Sequence, residues 1–251
     1  MSPMLEGKVV VITGAESGIG RAVSLRCAAE GAHLALAGLV EEGLRETAQL
    51  AGEDAATITV PTDIRDADQV DALFAATVKE FGRLDAAFAN AGGAMRTPSE
   101  LADSDLDIWK QMVETNLTGT FITLRAAARI LIDQGEGGSL IATGSSTAIR
   151  PIATAPLAYM AAKAGVHQLM RALTLEMAQH NIRVNTLVPG GSATPPVLAI
   201  ENYAEKNFGT VPMKALVDPD ELAAIVAFAL SDQAPHMTGT LLKVDAGRTS
   251  V

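Results

Sequence analysis

Lys8–Gly31 reads KVVVITGAESGIGRAVSLRCAAEG. Its first six residues are a β-branched apolar run, with the length and composition of a buried strand. Gly14–Gly20 (GAESGIG) is a glycine-rich turn, and Arg21–Gly31 has the period of a helix closed by glycine. Strand, glycine turn and helix in that order set main-chain N–H groups and a helix N-terminus against a pyrophosphate. The spacing is Gly14-x-x-x-Gly18-x-Gly20, with Val23 where a G-x-G-x-x-G fingerprint would have its third small residue.

The same alternation continues outward from this unit. Strands are predicted at His33–Ala37, Thr57–Val60, Leu84–Ala89, Ser139–Ala142, Ile182–Val188 and Leu241–Val244. Between them the periodicity predicts helices from about Glu41, over Asp66–Phe81, about Ser104–Ile132, about Pro156–Gln179 and Asp218–Leu230. Asp66 is a candidate N-cap, Gly82 a stop, and Asp-Pro-Asp-Glu an acidic first turn of the kind a helix dipole favours. Strands that alternate with helices of ten or more residues run parallel through right-handed crossovers, which makes one doubly wound α/β domain over residues 1–251. The one long irregular stretch, about Gly190–Val217, holds Pro195, Pro196 and Pro212 and follows a strand's C-terminal end. A loop so placed is expected to be a lid over a ligand crevice.

Composition narrows the classes of function. Of 251 residues 48% are hydrophobic and only 4% aromatic, so the core is aliphatic, as in parallel sheets covered by alanine-rich helices. A formal charge of −10 argues against nucleic acid and anionic membrane as partners. No run of 18 apolar residues is present, and MSPMLEGKVV lacks the pattern of a secretory signal. The single Cys27 permits no internal disulfide and suits a reducing cytoplasm. His33, His167, His180 and His236 show no metal-ligand spacing, so no metal is expected and the histidines are given no part in the chemistry.

The chemistry gathers in Gly138–Lys163, GSLIATGSSTAIRPIATAPLAYMAAK. A strand ends in a serine pair, an irregular bend follows, and a helix then carries Tyr159 and Lys163 on one face, a turn apart. A phenol with a pKa of about 10 is a poor proton carrier at neutral pH, and a fixed ammonium beside it is expected to lower that value. Ser145 and Ser146 both stand where a hydroxyl can enter the crevice at the sheet's C-terminal edge; Ser146 precedes Tyr159 by 13 residues.

Taken together, these residues resemble the short-chain dehydrogenase/reductase family, in its compact single-domain branch, from about Gly7 to Gly247. The T-G-x-x-x-G-x-G pattern appears as Thr13–Gly20, N-N-A-G as Ala89-Asn90-Ala91-Gly92, the asparagine as Asn116, and Tyr-x-x-x-Lys as Tyr159 and Lys163. The resemblance implies a Rossmann-like seven-stranded parallel sheet with helices on both faces. It also implies hydride transfer between a nicotinamide dinucleotide and a ketone or secondary alcohol. Asn116, Ser146, Tyr159 and Lys163 would be catalytic: Tyr159 passes the proton, Lys163 tunes it and bonds the nicotinamide ribose, Ser146 orients the substrate oxygen, and Asn116 holds a water of the relay. The 13-residue spacing favours Ser146 over Ser145, which becomes a second contact. Gly14, Ser17, Gly18, Ile19 and Gly20 would approach the pyrophosphate and adjacent ribose; Gly38 and Leu39 lie where cofactor choice is made. Asp63 and Ile64 would hold the adenine, with Asn90, Ala91 and Gly92 near a ribose. Tyr159, Lys163, Pro189, Gly190, Ser192 and Thr194 would hold the nicotinamide end.

Departures from the family pattern are Ala89 for the first asparagine, Ser192 for a β-branched apolar residue, and Asp245-Ala246-Gly247 for Asp-Gly-Gly. NAD-preferring relatives usually place Asp where Gly38 stands, and NADP-preferring ones often place Arg where Leu39 stands. Neither is here, and the glycine turn carries Glu16, a charge that a 2′-phosphate avoids. The expectation is therefore NAD(H) over NADP(H). The resemblance further implies a homotetramer. Apolar residues of the lid and of the bend before Tyr159 suit a mostly apolar small carbonyl or alcohol substrate. The alternatives are a carrier-linked 3-oxoacyl reductase and a non-catalytic dinucleotide-binding protein.

Overall fold

The computed structural model describes residues 3–95 and 101–251. Among these, the strands are β1 (Val9–Thr13), β2 (His33–Gly38), β3 (Thr57–Pro61), β4 (Ala86–Ala89), β5 (Gly138–Thr143), β6 (Ile182–Pro189) and β7 (Leu241–Val244). The helices are α1 (Gly18–Ala29), α2 (Glu41–Leu50), α3 (Ala67–Phe81), α4 (Leu106–Val113), α5 (Gly119–Gln134), α6 (Leu157–Met177), α7 (Pro195–Leu198), α8 (Tyr203–Asn207) and α9 (Pro219–Leu230). The strands form one parallel sheet in the order β3-β2-β1-β4-β5-β6-β7. This is the doubly wound Rossmann architecture expected from the sequence.

Alternate residues of a strand face opposite sides of a sheet, and both sides here are apolar. Val10 and Ile12 of β1 join Val23 and Cys27 of α1 and Leu222 and Val226 of α9 in one core layer. Val11, between them, joins Phe74 of α3, Leu124 of α5 and Met170 of α6 in the other. Register fixes which strand ends share a rim: Thr13 is opposite Ala37, and Gly38 is opposite Pro61. The chain order reverses between β1 and β4, and there the helices on either side diverge and leave a crevice.

Local signals set the helix ends. The Asp66 side chain accepts from the N–H groups of Asp68 and Gln69, and Gly82 stops α3 in the left-handed region at φ 79°. Asp218 accepts from the Asp220 N–H at the start of α9. Two stretches depart from their sequence reading. The helix expected over about Ser104–Ile132 is interrupted by a π-helical turn, Glu114–Thr118, which contains Asn116. Such turns insert an extra residue and are frequent at functional sites. Gly190–Val217, read as irregular, holds the short helices α7 and α8. Among the described residues no helix is long and apolar enough to cross a membrane.

Candidate active site

A cavity of about 1310 Å³ opens along the C-terminal rim of the sheet, from Gly38 and Asp63 at one end to Tyr159, Tyr203 and Arg248 at the other. It exceeds the range typical of a single drug-sized ligand. Every residue assigned to the site from the sequence lines it except Gly20, which is buried beneath the turn.

The glycine turn is compact for a physical reason. Gly14 lies at φ +68° with the Ala91 Cα only 2.9 Å from where a Cβ would stand, and a Cβ on Gly20 would overlap the Gly14 carbonyl. α1 can therefore press its first turn against β1, with the N–H groups of that turn directed at the cavity and no side-chain cap from Ser17. Gly18 faces Thr194 across the gap, 3.2 Å from its Cγ2 to an ideal Cβ. An uncapped helix N-terminus beside a glycine cradle fits a pyrophosphate. Asn90 ties three strand ends together: its amide group donates to the Thr13 carbonyl at 3.1 Å, and its Oδ1 accepts from the Thr143 hydroxyl at 3.0 Å. Asp63 is engaged by the Arg65 guanidinium, which holds its carboxyl below the usual range, and Ile64 packs against Gly119. On the other side Gly190 donates to the Val244 carbonyl at 2.9 Å, and Ser192 donates to the Gly190 carbonyl at 3.2 Å. A long, crevice-shaped site with these features fits a dinucleotide.

At the far end, α6 brings Tyr159 and Lys163 to the C-terminal end of β5. Lys163 is buried; its Nζ donates to the Thr143 carbonyl at 2.8 Å and stands 5.8 Å from the Tyr159 ring centre. Burial pulls its pKa down to about 8. Tyr159 differs from its sequence expectation. Its pKa is raised, because desolvation of the phenolate outweighs the nearby Ser145 hydroxyl, which acts in the opposite direction. The ammonium's hydrogen bond goes to main chain, and the tuning expected of it does not appear among the causes of the shift.

The two serines of the pair have different partners. The hydroxyl of Ser145 is hydrogen-bonded to the Thr147 hydroxyl at 2.8 Å and stands near enough to the Tyr159 phenol to pull its pKa down. The Ser146 Oγ accepts from Nη1 of the buried Arg248 at 3.2 Å. Ser145 has extended backbone (φ −163°, ψ 145°), and Ser146 opens a single 3-10 turn, so the two side chains diverge. Counting back 13 residues crosses the bend at 147–156, which carries no fixed period, so spacing alone does not choose between the two serines.

Asn116 is fully buried and draws the loop after β4 toward Lys163. Its Oδ1 accepts from the Gly93 N–H, and its Nδ2 donates to the carbonyls of Gly93 and Met112, all at 3.0 Å. A Cβ on Gly92 would stand 2.7 Å from that Oδ1 and 3.7 Å from the Lys163 Nζ.

His167, given no part from the sequence, belongs to this cluster. Its Nε2 accepts from the Ser145 N–H at 3.2 Å, and a Cβ on Gly144 would overlap that nitrogen. Burial, with Lys163 nearby, lowers its pKa to about 4, so the ring is neutral and its other nitrogen carries the proton. The signal was available in the sequence: His167 is four residues after Lys163, on the same helical face.

Comparison with known proteins agrees with this geometry. The family model described as Enoyl-(Acyl carrier protein) reductase matches residues 14–249. Levodione reductase of Leifsonia aquatica is 37% identical over 97% of this chain and 94% of its own length. A short-chain type dehydrogenase/reductase from Mycobacterium marinum superposes with a TM-score of 0.95 at 32% identity, covering 100% of this chain and 98% of that one. Carveol dehydrogenase from Mycobacterium avium, in complex with NAD, gives 0.92 at 31%, covering 99% and 100%. The fold and site are those of an oxidoreductase that acts on CH–OH and C=O groups by hydride transfer with a nicotinamide dinucleotide. The chain belongs to the short-chain dehydrogenase/reductase family.

Proposed function

We propose that Tyr159 delivers a proton to, or removes it from, the oxygen of a small, mostly apolar ketone or secondary alcohol, with NAD(H) as the preferred dinucleotide. The observation that carries this reading is the convergence of Tyr159, the Ser145 hydroxyl and buried Lys163, its Nζ 5.8 Å from the Tyr159 ring centre, at the end of a cavity long enough for both molecules. The bound nicotinamide supplies or accepts the hydride. Reduction of a carbonyl builds negative charge on its oxygen, so a proton donor and a hydrogen-bond donor must already face it. Tyr159 is the first and Ser145 the second. Both line the same end of the cavity, which supports their meeting one substrate oxygen.

Lys163, protonated at neutral pH, is the positive charge that favours the phenolate once its ammonium turns from Thr143 toward ligand. Asn116 keeps the 90–93 loop against Lys163, and its place in a π turn suits it to hold a water of the relay. Apolar side chains of the 190–217 segment, Val197, Ile200 and Phe208 among them, line the cavity and support its reading as a lid over an apolar substrate. NAD(H) is supported by the absence of a basic residue at 38 and 39 and by Glu16 beside them. A homotetramer is supported by exposed apolar side chains on α4, α5, α6 and α9, including Trp109, Phe121, Leu175 and Phe228. A cytoplasmic location is supported only by the one unpaired cysteine.

A panel of ketones and secondary alcohols, followed by nicotinamide absorbance, identifies the substrate class. With an active pair in hand, Tyr159→Phe is expected to lose about 10²–10⁴-fold in kcat while its far-UV circular dichroism matches the wild type. Unchanged turnover refutes the role of Tyr159. A clear preference in kcat/KM for NADPH over NADH refutes the cofactor reading.

A further inference from the structure

The glycine turn contains a carboxylate that the proton-transfer cluster does not use. The Glu16 side chain reaches from the turn across the end of β2. Its Oε1 accepts from the Leu39 N–H at 3.2 Å. Its Oε2 is buried and has no hydrogen-bond partner. Among the described residues no cation forms an ion pair with it. A buried, unpaired carboxylate oxygen is costly, so its persistence calls for a donor that comes from outside the chain.

Two glycines make the space it fills. A Cβ on Gly38 would overlap the Glu16 carboxylate, and a Cβ on Gly43 would come within 2.9 Å of the Glu16 Cβ and carbonyl oxygen. Its main chain is pinned as well, because the Arg21 Nη2 donates to the Glu16 carbonyl at 2.7 Å. The carboxylate thus occupies the volume that a side chain at position 38 would take. In dinucleotide-binding folds an acidic residue at that strand end bonds the ribose hydroxyls. Gly38 cannot do so. Arg21 is already spent on Glu46, Thr47 and main-chain carbonyls, and Arg45 on Glu41.

We propose that Glu16 is the acceptor for the 2′-hydroxyl of the adenosine ribose, presented from the glycine turn over a glycine at the strand end, and is therefore this chain's specificity-determining residue between dinucleotides. This rests on the NAD(H) reading above and adds to it the residue and the direction of approach. Glu16 and Gly38 then form a linked pair: an acid at 38 and an acid at 16 exclude each other sterically.

The test is calorimetric titration of the purified protein with NAD+, 2′-deoxy-NAD+ and NADP+, which needs no substrate. Wild-type protein should bind NAD+ about 10-fold or more tightly than 2′-deoxy-NAD+, the scale of one hydrogen bond to a charged acceptor. Glu16→Ala should erase that ratio and leave 2′-deoxy-NAD+ affinity near wild type, which doubles as the check that the site is folded. The isosteric Glu16→Gln should reduce the ratio in the same sense. If both variants keep the wild-type ratio, or if both ligands weaken equally, Glu16 is not the acceptor. Tighter binding of NADP+ than NAD+ by the wild type overturns the NAD(H) reading on its own, separately from the outcome for Glu16.

Discussion

The Ser145 hydroxyl stands beside the Tyr159 phenol and pulls its pKa down against the stronger upward pull of burial, while its neighbour Ser146 accepts from the guanidinium of Arg248. Fourteen positions apart in sequence, Ser145 and Tyr159 are joined only by the way the bend at 147–156 folds back on α6. Substitution separates the two serines. Ser145→Ala is expected to lower kcat by about 10²-fold or more, the usual cost of removing a hydrogen-bond donor from a developing oxyanion. Ser146→Ala should change kcat only a few-fold, through its contact with Arg248. Steady-state kinetics of both variants decide it, and a larger loss in Ser146→Ala would restore the assignment made from spacing.

The pH profile should carry the mark of Lys163. With its pKa lowered to about 8 by burial, the ammonium is present below that value and lost above it. The phenol of Tyr159, raised rather than lowered, stays protonated over the same range. For carbonyl reduction, log kcat/KM, which reports groups of the free enzyme, is expected to be level to about pH 8 and then to decline. A profile level to pH 9.5 would exclude a needed lysine charge.

Acid sensitivity should depend on His167. Its folded pKa of about 4 lies below the 6.5 of an unperturbed histidine, so between those values the unfolded chain binds a proton that the folded protein refuses. Stability is full above about pH 6.5 and falls toward pH 4, by up to about 3 kcal/mol from this group. Thermal unfolding from pH 7 to pH 4 is expected to show a shallower decline in His167→Gln than in the wild type. Parallel declines would mean that the ring is not held neutral.

Cys27 should be inert in the native protein. It is fully buried in the layer between β1 and α1, and desolvation pushes its thiol up to about 12. At pH 8 roughly one thiol in ten thousand would be thiolate, and none is accessible. A thiol-disulfide exchange reagent is expected to label the denatured chain stoichiometrically and the folded one only at the rate of unfolding. Prompt labelling of folded protein would contradict this packing.

Much of the molecule was legible in the residues because the signals are local. A β-branched run, a glycine turn and a helix with one apolar face form wherever they stand, and Asp66, Gly82 and Asp218 mark helix ends by hydrogen bonds that span a few residues. Repetition of that unit leaves parallel pairing as the only ordinary outcome, which is why the doubly wound sheet could be read before any contact was known. Tyr159 and Lys163 were legible for the same reason, since a helix fixes the relation of residues four apart.

Contacts between distant segments were not legible. The different partners of Ser145 and Ser146 depend on backbone directions in a bend without a period. The raised Tyr159 phenol depends on burial by elements far away in sequence. The bond from the Ser145 N–H to His167 needs β5 and α6 in register, and the packing of Glu16 over Gly38 needs β1 and β2 side by side. The sequence alone determined the class of fold, the family and the cast of the site. The tertiary structure decided which partners each hydroxyl, charge and carboxylate meets, because those depend on desolvation and close approach between segments that share no local period.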